Sequence, residues 1–193
     1  STIESVNNVT ITNSGPMGIY LEQSRVNLIQ NLKLLNIRDG FKLKESLINN
    51  LTLSTFEDCG GRGRILRGGA MYNLHSNVTI SNSTFSNNMA REGGAIAIEC
   101  SINQQCNNII KGNHFSNNTG LSKGGAIYYN MNRPDFDGNK YEGNIADYGP
   151  DIASYAVKVL SKTTLDNKIS INNVASGLKY QDLLTLNLAD YDN

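Results

Sequence analysis

The segment Phe85-Ser86-Asn87-Asn88, followed by Gly93-Gly94-Ala95-Ile96, recurs about 30 residues later as Phe115-Ser116-Asn117-Asn118 and Gly124-Gly125-Ala126-Ile127. A fixed period of this size marks a solenoid, in which no repeat buries its apolar face alone. Weaker echoes flank the pair. Phe56 precedes Gly68-Gly69-Ala70-Met71, and Tyr141-Glu142-Gly143-Asn144 precedes Tyr148-Gly149-Pro150. Successive aromatics lie 29, 30 and 26 residues apart. Insertions are therefore tolerated between fixed points, as in loops on a repeated scaffold.

The composition agrees with such a chain. Asn supplies 28 of the 193 residues and Gly another 18, and both favour turns and left-handed backbone. Seventeen basic and seventeen acidic residues cancel, so the charge excess that nucleic acid or an anionic membrane attracts is missing. No stretch approaches the ~20 apolar residues of a membrane span. The chain lacks an initiator Met and a signal peptide, and ends abruptly, which leads us to expect a piece of a longer protein.

Between the turn signals lie short alternating runs and no helical period. Val9-Thr10-Ile11, Leu51-Thr52-Leu53 and Val78-Thr79-Ile80 place apolar residues two apart, the period of a half-buried strand. Each follows an Asn, which suggests one shared coil position beginning the rung that the Phe continues. Ile19-Tyr20-Leu21 and Phe41-Lys42-Leu43 read as the same strands with a degraded motif. One rung then runs from Val78 through Phe85 to a turn at Asn87-Asn88, an exposed loop at Met89 to Glu92, the Gly pair and a strand through Ile96 and Ile98. Three short strands and three turns per coil, stacked in parallel, make a right-handed β-helix over residues 1–160. The fold class is all-β. Stacking should place Phe56, Phe85, Phe115 and Tyr141 in one inward column, and Asn88, Asn118 and Asn144 at one turn where amides bond between coils. The Gly pairs supply positive φ at a corner. Residues 161–193 lack these motifs, and are expected to form a C-terminal β cap or the first strands of a following β-sandwich.

The pairing of Phe-x-x-Asn with Gly-Gly-Ala-Ile resembles the repeats of chlamydial polymorphic outer-membrane proteins, read as β-helical surface adhesins. Tyr148-Gly149-Pro150-Asp151-Ile152, with the tail near Ser176 to Tyr180, looks closer to the pectin-lyase-like repeats of ciliate and other protist surface proteins. The resemblance covers residues 50–155 and implies an extracellular, cell-surface location.

No catalytic constellation stands out. Two carboxylates held ~5–9.5 Å apart serve glycoside hydrolysis, and Asp135 with Asp137 is the only close Asp pair before the tail, both expected outside one strand. Glu57-Asp58 reads as a solvated turn. Arg62, Arg64 and Arg67 cluster on a Gly-rich insertion read as a mobile projection. His75 and His114 stand apart in sequence, His114 pointing outward beside Phe115. No metal or cofactor site is expected. Cys100 and Cys106 close a five-residue loop and are disulfide candidates, free buried thiols being the alternative; Cys59 is left over. Asn8, Asn50, Asn77, Asn82 and Asn117 begin Asn-x-Ser/Thr triplets and are glycosylation candidates, in a count that chance alone supplies. Turn hydrogen bonding is the alternative role. The expected function is an extracellular structural or adhesive scaffold, self-associating end to end or in a glycosylated fibre, and not an enzyme. Two alternatives remain: a polysaccharide lyase or hydrolase using Asp135, Asp137 or the Arg62–Arg67 loop, and a glycan-binding module using exposed Tyr72, Tyr128 and Tyr129.

Overall fold

The computed structural model describes residues 1–13, 15–61, 66–101, 103–156, 158–161, 186–190 and 192. Two compact units divide the chain, Ser1–Ser154 and Tyr155–Asn193. The first is a parallel β-helix of six coils, without helices among its described residues. Its first sheet stacks Thr2–Asn7, Arg25–Gln30, Leu47–Thr52, Asn77–Ser81, Ile109–Lys111 and Asp135–Asp137. The second stacks Thr10–Thr12, Lys33–Leu35, Thr55–Glu57, Thr84–Ser86, His114–Ser116 and Lys140–Glu142. A third, of three strands, holds Met89–Glu92, Thr119–Lys123 and Ile145–Tyr148. The fourth runs Met17–Glu22, Asp39–Lys44, Met71–Leu74, Ile96–Glu99, Ile127–Tyr129 and Ile152–Ala153. In the second unit, Lys158–Ser161 pairs antiparallel with Leu186–Ala189. The expected cap or sandwich strands in 162–185 lie outside the described residues.

Register explains the repeat. In the second sheet Ile11, Leu34, Phe56, Phe85, Phe115 and Tyr141 are successive partners. The aromatic rings stack at 4.7, 4.9 and 5.3 Å, close to the ~4.8 Å strand spacing. The three Phe side chains are fully buried. The aliphatic members Ile11 and Leu34 carry the column through the first two coils, where the motif is absent. Those coils need only 23 and 22 residues per turn of this column because they lack the third sheet. The stretch Met89 to Glu92, expected as an exposed loop, is instead a strand of that sheet. Ala90 is fully buried there, and Met89 and Ala90 partner Thr119 and Gly120 of the next coil.

Side-chain ladders hold the turns. Asn88 N–H and Nδ2 both donate to Asn118 Oδ1 (3.0 and 2.9 Å), and Asn118 repeats this to Asn144 Oδ1 (3.0 Å each). Each Nδ2 also reaches the carbonyl of the preceding coil's stacked aromatic: Asn88 to Phe56, Asn118 to Phe85, Asn144 to Phe115. Cys59 continues this column, its N–H donating to Asn88 Oδ1 and its Sγ to Leu34 O. A second ladder joins the first and second sheets. Leu32 N–H donates to Ser54 Oγ, Ser54 to Ser83 Oγ, Ser83 to Asn113 Oδ1 and Asn113 to Asn139 Oδ1. These bonds satisfy backbone groups that the strand ladders leave free at the corners.

The corners also explain the Asn content. Between the first and second sheets, Asn8, Asn31, Leu53 and Asn82 have φ of 57, 53, 52 and 47°, and Gly112 and Gly138 continue the column. A short amide bonds locally in this conformation, while an aliphatic side chain is strained by ~1–2 kcal/mol. Leu53 is the misfit, and it is exposed. Leu53→Asn should stabilise the fold by about 1 kcal/mol, measured by urea denaturation of unglycosylated protein, because the change also creates an Asn-x-Thr triplet.

The three Asn-apolar-Thr-apolar runs do not share a coil position, contrary to the expectation from their sequences. Asn8 sits at a corner, Asn50 partners Leu28, and Asn77 partners Leu47. Val9 to Ile11 leads into the second sheet, whereas the other two runs belong to the first. Ile19 to Leu21 and Phe41 to Leu43 lie in the fourth sheet, above Met71 to Asn73. Period-2 alternation sets which face a residue takes but carries no label for its sheet.

Candidate functional site

The fourth sheet offers the most differentiated outer surface. Its inward column is apolar: Ile19, Phe41, Met71, Ile96, Ile127 and Ile152. One residue on, alternation turns Tyr20, Lys42, Tyr72, Ala97, Tyr128 and Ala153 outward in a single column. Lys42 lies between two rings, its Nζ 5.9 Å from the Tyr20 centroid and 5.5 Å from that of Tyr72. A cleft of about 560 Å³ opens here, lined by Met17, Asp39, Lys42, Arg67, Tyr72 and Arg91 among others.

One wall of the cleft is braced by charge. Arg67 Nε lies 3.1 Å from Glu92 Oε2, and Arg67 Nη1 meets Glu99. Glu99 also accepts the Tyr72 hydroxyl at 2.8 Å. Burial raises the Tyr72 pKa, so the phenol keeps its proton and serves as donor. Arg67 is therefore pinned and is not part of a free projection; Arg62 and Arg64 lie outside the described residues. Glu22, below the column, is taken by Lys44 at 2.5 Å.

The other candidates disperse. Tyr128 and Tyr129, expected to be exposed, are 2% and 1% accessible. Tyr129 shares the inward face of Ile127, and Tyr128 packs with Ala97 and Ala153, flanked by Tyr72 and Tyr148. Only half-buried Tyr72 stays available, joined by Tyr20, which sequence reasoning missed. Its signal was present: Tyr20, Lys42 and Tyr72 each sit one residue after an inward apolar residue of the same column.

Asp135 and Asp137 stand exposed on the outer face of one strand, and Lys111 bridges Asp135 at 2.7 Å. Glu57 ends a second-sheet strand and Asp58 takes the next corner, with φ of 52°. His75 Nδ1 accepts the Ser101 N–H at 3.1 Å, and His114 Nε2 faces Glu142 Oε2 at 3.3 Å. The described residues contain no group of three or more His, Cys, Asp or Glu able to hold a metal ion. No helix among them is long and apolar enough to cross a membrane.

Cys100 and Cys106 form a disulfide. The loop it closes is tied down where Gln104 Nε2 donates to His75 O at 3.1 Å, and just beyond it the Asn107 N–H donates to Asn77 Oδ1 at 2.8 Å. Of the candidate glycosylation positions, Asn8, Asn50, Asn82 and Asn117 are exposed and Asn77 is half-buried. Asn8 and Asn82 share one corner column, and Asn117 belongs to the next. Asn8, Asn50 and Asn77 therefore occupy different coil positions.

Cys59 is free and buried, and burial pushes its thiol up from 9.0 to about 11. A thiol reagent at pH 8 should leave it unmodified in folded protein and label it fully in guanidinium, since the thiolate is the nucleophile. Between pH 9 and 11 the unfolded chain releases this proton while the folded one keeps it, so stability should fall as pH rises through that window.

No curated protein and no solved structure matches the chain. A family model described as right handed beta helix region matches residues 2–174. Parallel coils, stacked side-chain columns and this match agree, and the chain belongs to the right-handed β-helix family.

Proposed function

We propose that the chain is an extracellular, non-catalytic scaffold that carries an adhesive surface on its fourth sheet. One observation carries the reading. The conspicuous repeats, Phe-x-x-Asn and Gly-Gly-Ala, are spent inside the coils on stacking and on bonds between neighbours. Differentiated outer chemistry gathers on one face around Lys42, Arg67 and Tyr72. The Cys100–Cys106 disulfide supports an oxidising compartment, and the exposed sequons suit a secreted route. The likeness of the repeats to surface-adhesin repeats points the same way.

End-to-end association belongs to this proposal. In the first coil Ile3, Val6, Val9, Ile11, Ile19 and Leu21 are only partly buried, and end strands leave backbone groups open to pairing.

Incubation with pectin, alginate and chitin oligomers, followed by mass spectrometry of the sugars, tests the non-catalytic reading. Every oligomer should be recovered intact. Shortened products that vanish in Asp137→Ala would make the protein a carbohydrate-active enzyme instead.

A further inference from the structure

We propose that the five Asn-x-Ser/Thr triplets divide by what holds the Asn amide: Asn8, Asn50, Asn82 and Asn117 accept N-linked sugar, and Asn77 is withheld from it by the segment that follows the Cys100–Cys106 disulfide. The assignment rests on the secreted-scaffold reading and deepens it by saying which positions carry sugar.

In N-linked transfer the Asn Nδ2 bonds to C1 of a sugar, the bond from that carbon to a lipid pyrophosphate breaks, and Nδ2 gives up one proton. The amide must lie open to a bulky lipid-linked donor, which is why acceptor positions are surface positions. Four of the five are exposed. Asn8, Asn82 and Asn117 stand at corners with positive φ, and Asn50 lies in the first sheet. Asn77 differs at each position of its triplet. Its Oδ1 accepts the backbone N–H of Asn107 at 2.8 Å, the Val78 N–H donates to Asn108 Oδ1 at 3.0 Å, and Thr79 partners Ile109. Residues 107–109 therefore lie against 77–79 one for one.

The covering segment is anchored from its other end as well. Cys106, buried and bonded to Cys100, precedes it, and the Ser101 N–H and Gln104 Nε2 hold the loop to His75 at 3.1 Å each. Asn77 still lines a surface pocket of about 420 Å³ with His75 and Gln104, so its edge meets solvent. What withdraws it is the bond on its oxygen, which fixes the amide beside the loop. Asn8 Oδ1 also accepts a bond, at 3.0 Å, but from Nδ2 of the exposed Asn31, a surface side chain that can swing away. A backbone N–H next to a disulfide cannot. Asn107 follows Asn77 by 30 residues, so the triplet is open only until that segment arrives. Loop closure and sugar transfer then compete for one amide, and the disulfide favours closure by restricting the open chain. The outcome matters for the adhesive face. Asn77 opens its strand just after the fourth-sheet strand ends at Leu74, and a bare Asn77 keeps that border of the sheet clear of sugar.

Secretion of the whole chain from a eukaryotic cell line, then glycosidase release in heavy-oxygen water and peptide mass spectrometry, tests the assignment. Each released site returns as Asp carrying the heavy atom, so every Asn is read separately. Asn8, Asn50, Asn82 and Asn117 should be occupied in most molecules, and Asn77 about tenfold less often, as two hydrogen bonds holding its triplet imply. Cys100→Ser with Cys106→Ser, and separately Asn108→Ala, should raise Asn77 occupancy several-fold and leave the other four unchanged. The assignment is overturned if wild-type Asn77 is occupied as often as the others, if the other four are bare, or if neither variant moves Asn77. The wild-type comparison decides by itself should the variants fail to be secreted. The oligomer digestion reads the scaffold independently. Shortened oligomers with Asn77 bare overturn the non-catalytic reading and keep the assignment. An occupied Asn77 with every oligomer intact overturns the assignment alone.

Discussion

Asn118→Ala should cost about 4 kcal/mol and leave the β-helix unfolded or molten near 37 °C. Asn118 is fully buried in the middle of the amide ladder. Its Oδ1 accepts both the N–H and the Nδ2 of Asn88, and its Nδ2 donates to Phe85 O and Asn144 Oδ1. Alanine removes all four contacts and puts nothing in their place. Each buried donor or acceptor left without a partner costs ~1–3 kcal/mol. Partial relaxation of the turn recovers some of this, which keeps the expected total near 4 kcal/mol. Urea denaturation of the purified variant measures the loss. Asn117→Ala, one residue away but exposed at a corner, is the control. It forfeits only a favourable left-handed residue, a change of ~1 kcal/mol. Similar losses for the two variants would show that the ladder does not hold the coils together.

Gly94→Ala should be at least as damaging, for a different reason. A Cβ added at Gly94 would overlap the Gly125 carbonyl oxygen of the next coil and come within 2.6 Å of Thr119 C and 2.7 Å of Thr119 N. All of these are backbone atoms, so no side chain can rotate away. Two coils must separate, which weakens the third- and fourth-sheet ladders beside them. The expected loss is about 4 kcal/mol, in the exceptional range for a single methyl group. At Gly61 the nearest atom to an added Cβ is Leu66 Cδ1 at 3.8 Å, so Gly61→Ala should be neutral or raise stability by ~0.4–1 kcal/mol through the unfolded chain. Thermal melts of the two variants should therefore shift in opposite directions, or only the Gly94 variant should shift.

These two sites show what was legible in the sequence. The Phe column and the Asn88–Asn118–Asn144 ladder could be read because stacking places like above like, and identical residues at a constant interval announce themselves. The Gly pairs were half legible. Positive φ at a corner accounts for the first glycine, with φ of 63, 65 and 63° at Gly68, Gly93 and Gly124. The second glycine answers to contact with the neighbouring coil, and sequence spacing carries no such distance. Cys59 on the asparagine ladder was illegible for a related reason: a thiol and an amide share no sequence signature, yet both donate to the same carbonyl column.

Outer surfaces were harder to read than the interior. Tyr128 and Tyr129 are adjacent, so alternation points them to opposite faces, and neither ends up open to solvent. The Tyr20–Lys42–Tyr72 column joins coils of unequal length, 22 residues from Tyr20 to Lys42 and 30 from Lys42 to Tyr72. A search for a constant period misses it. Register supplies what period cannot: it aligns residues by hydrogen bonding across coils whatever the loops between them contain. The Asn-apolar-Thr-apolar runs failed in the opposite direction, sharing letters without sharing a coil position.

The central claim is that successive coils stack in this register, so that equivalent residues climb one strand spacing at a time. Spin labels attached through Thr12→Cys with Glu142→Cys, and through Thr12→Cys with Ser116→Cys, test it most directly by dipolar electron resonance. All three positions lie on the outer face of the second sheet, in the first, sixth and fifth coils. Cys59 is buried and should stay unlabelled in folded protein. At ~4.8 Å per coil the two pairs should give distances of about 24 and 19 Å, broadened by the label arms. Equal distances, or a longer one for the pair ending at Ser116, would contradict the stacked-coil account.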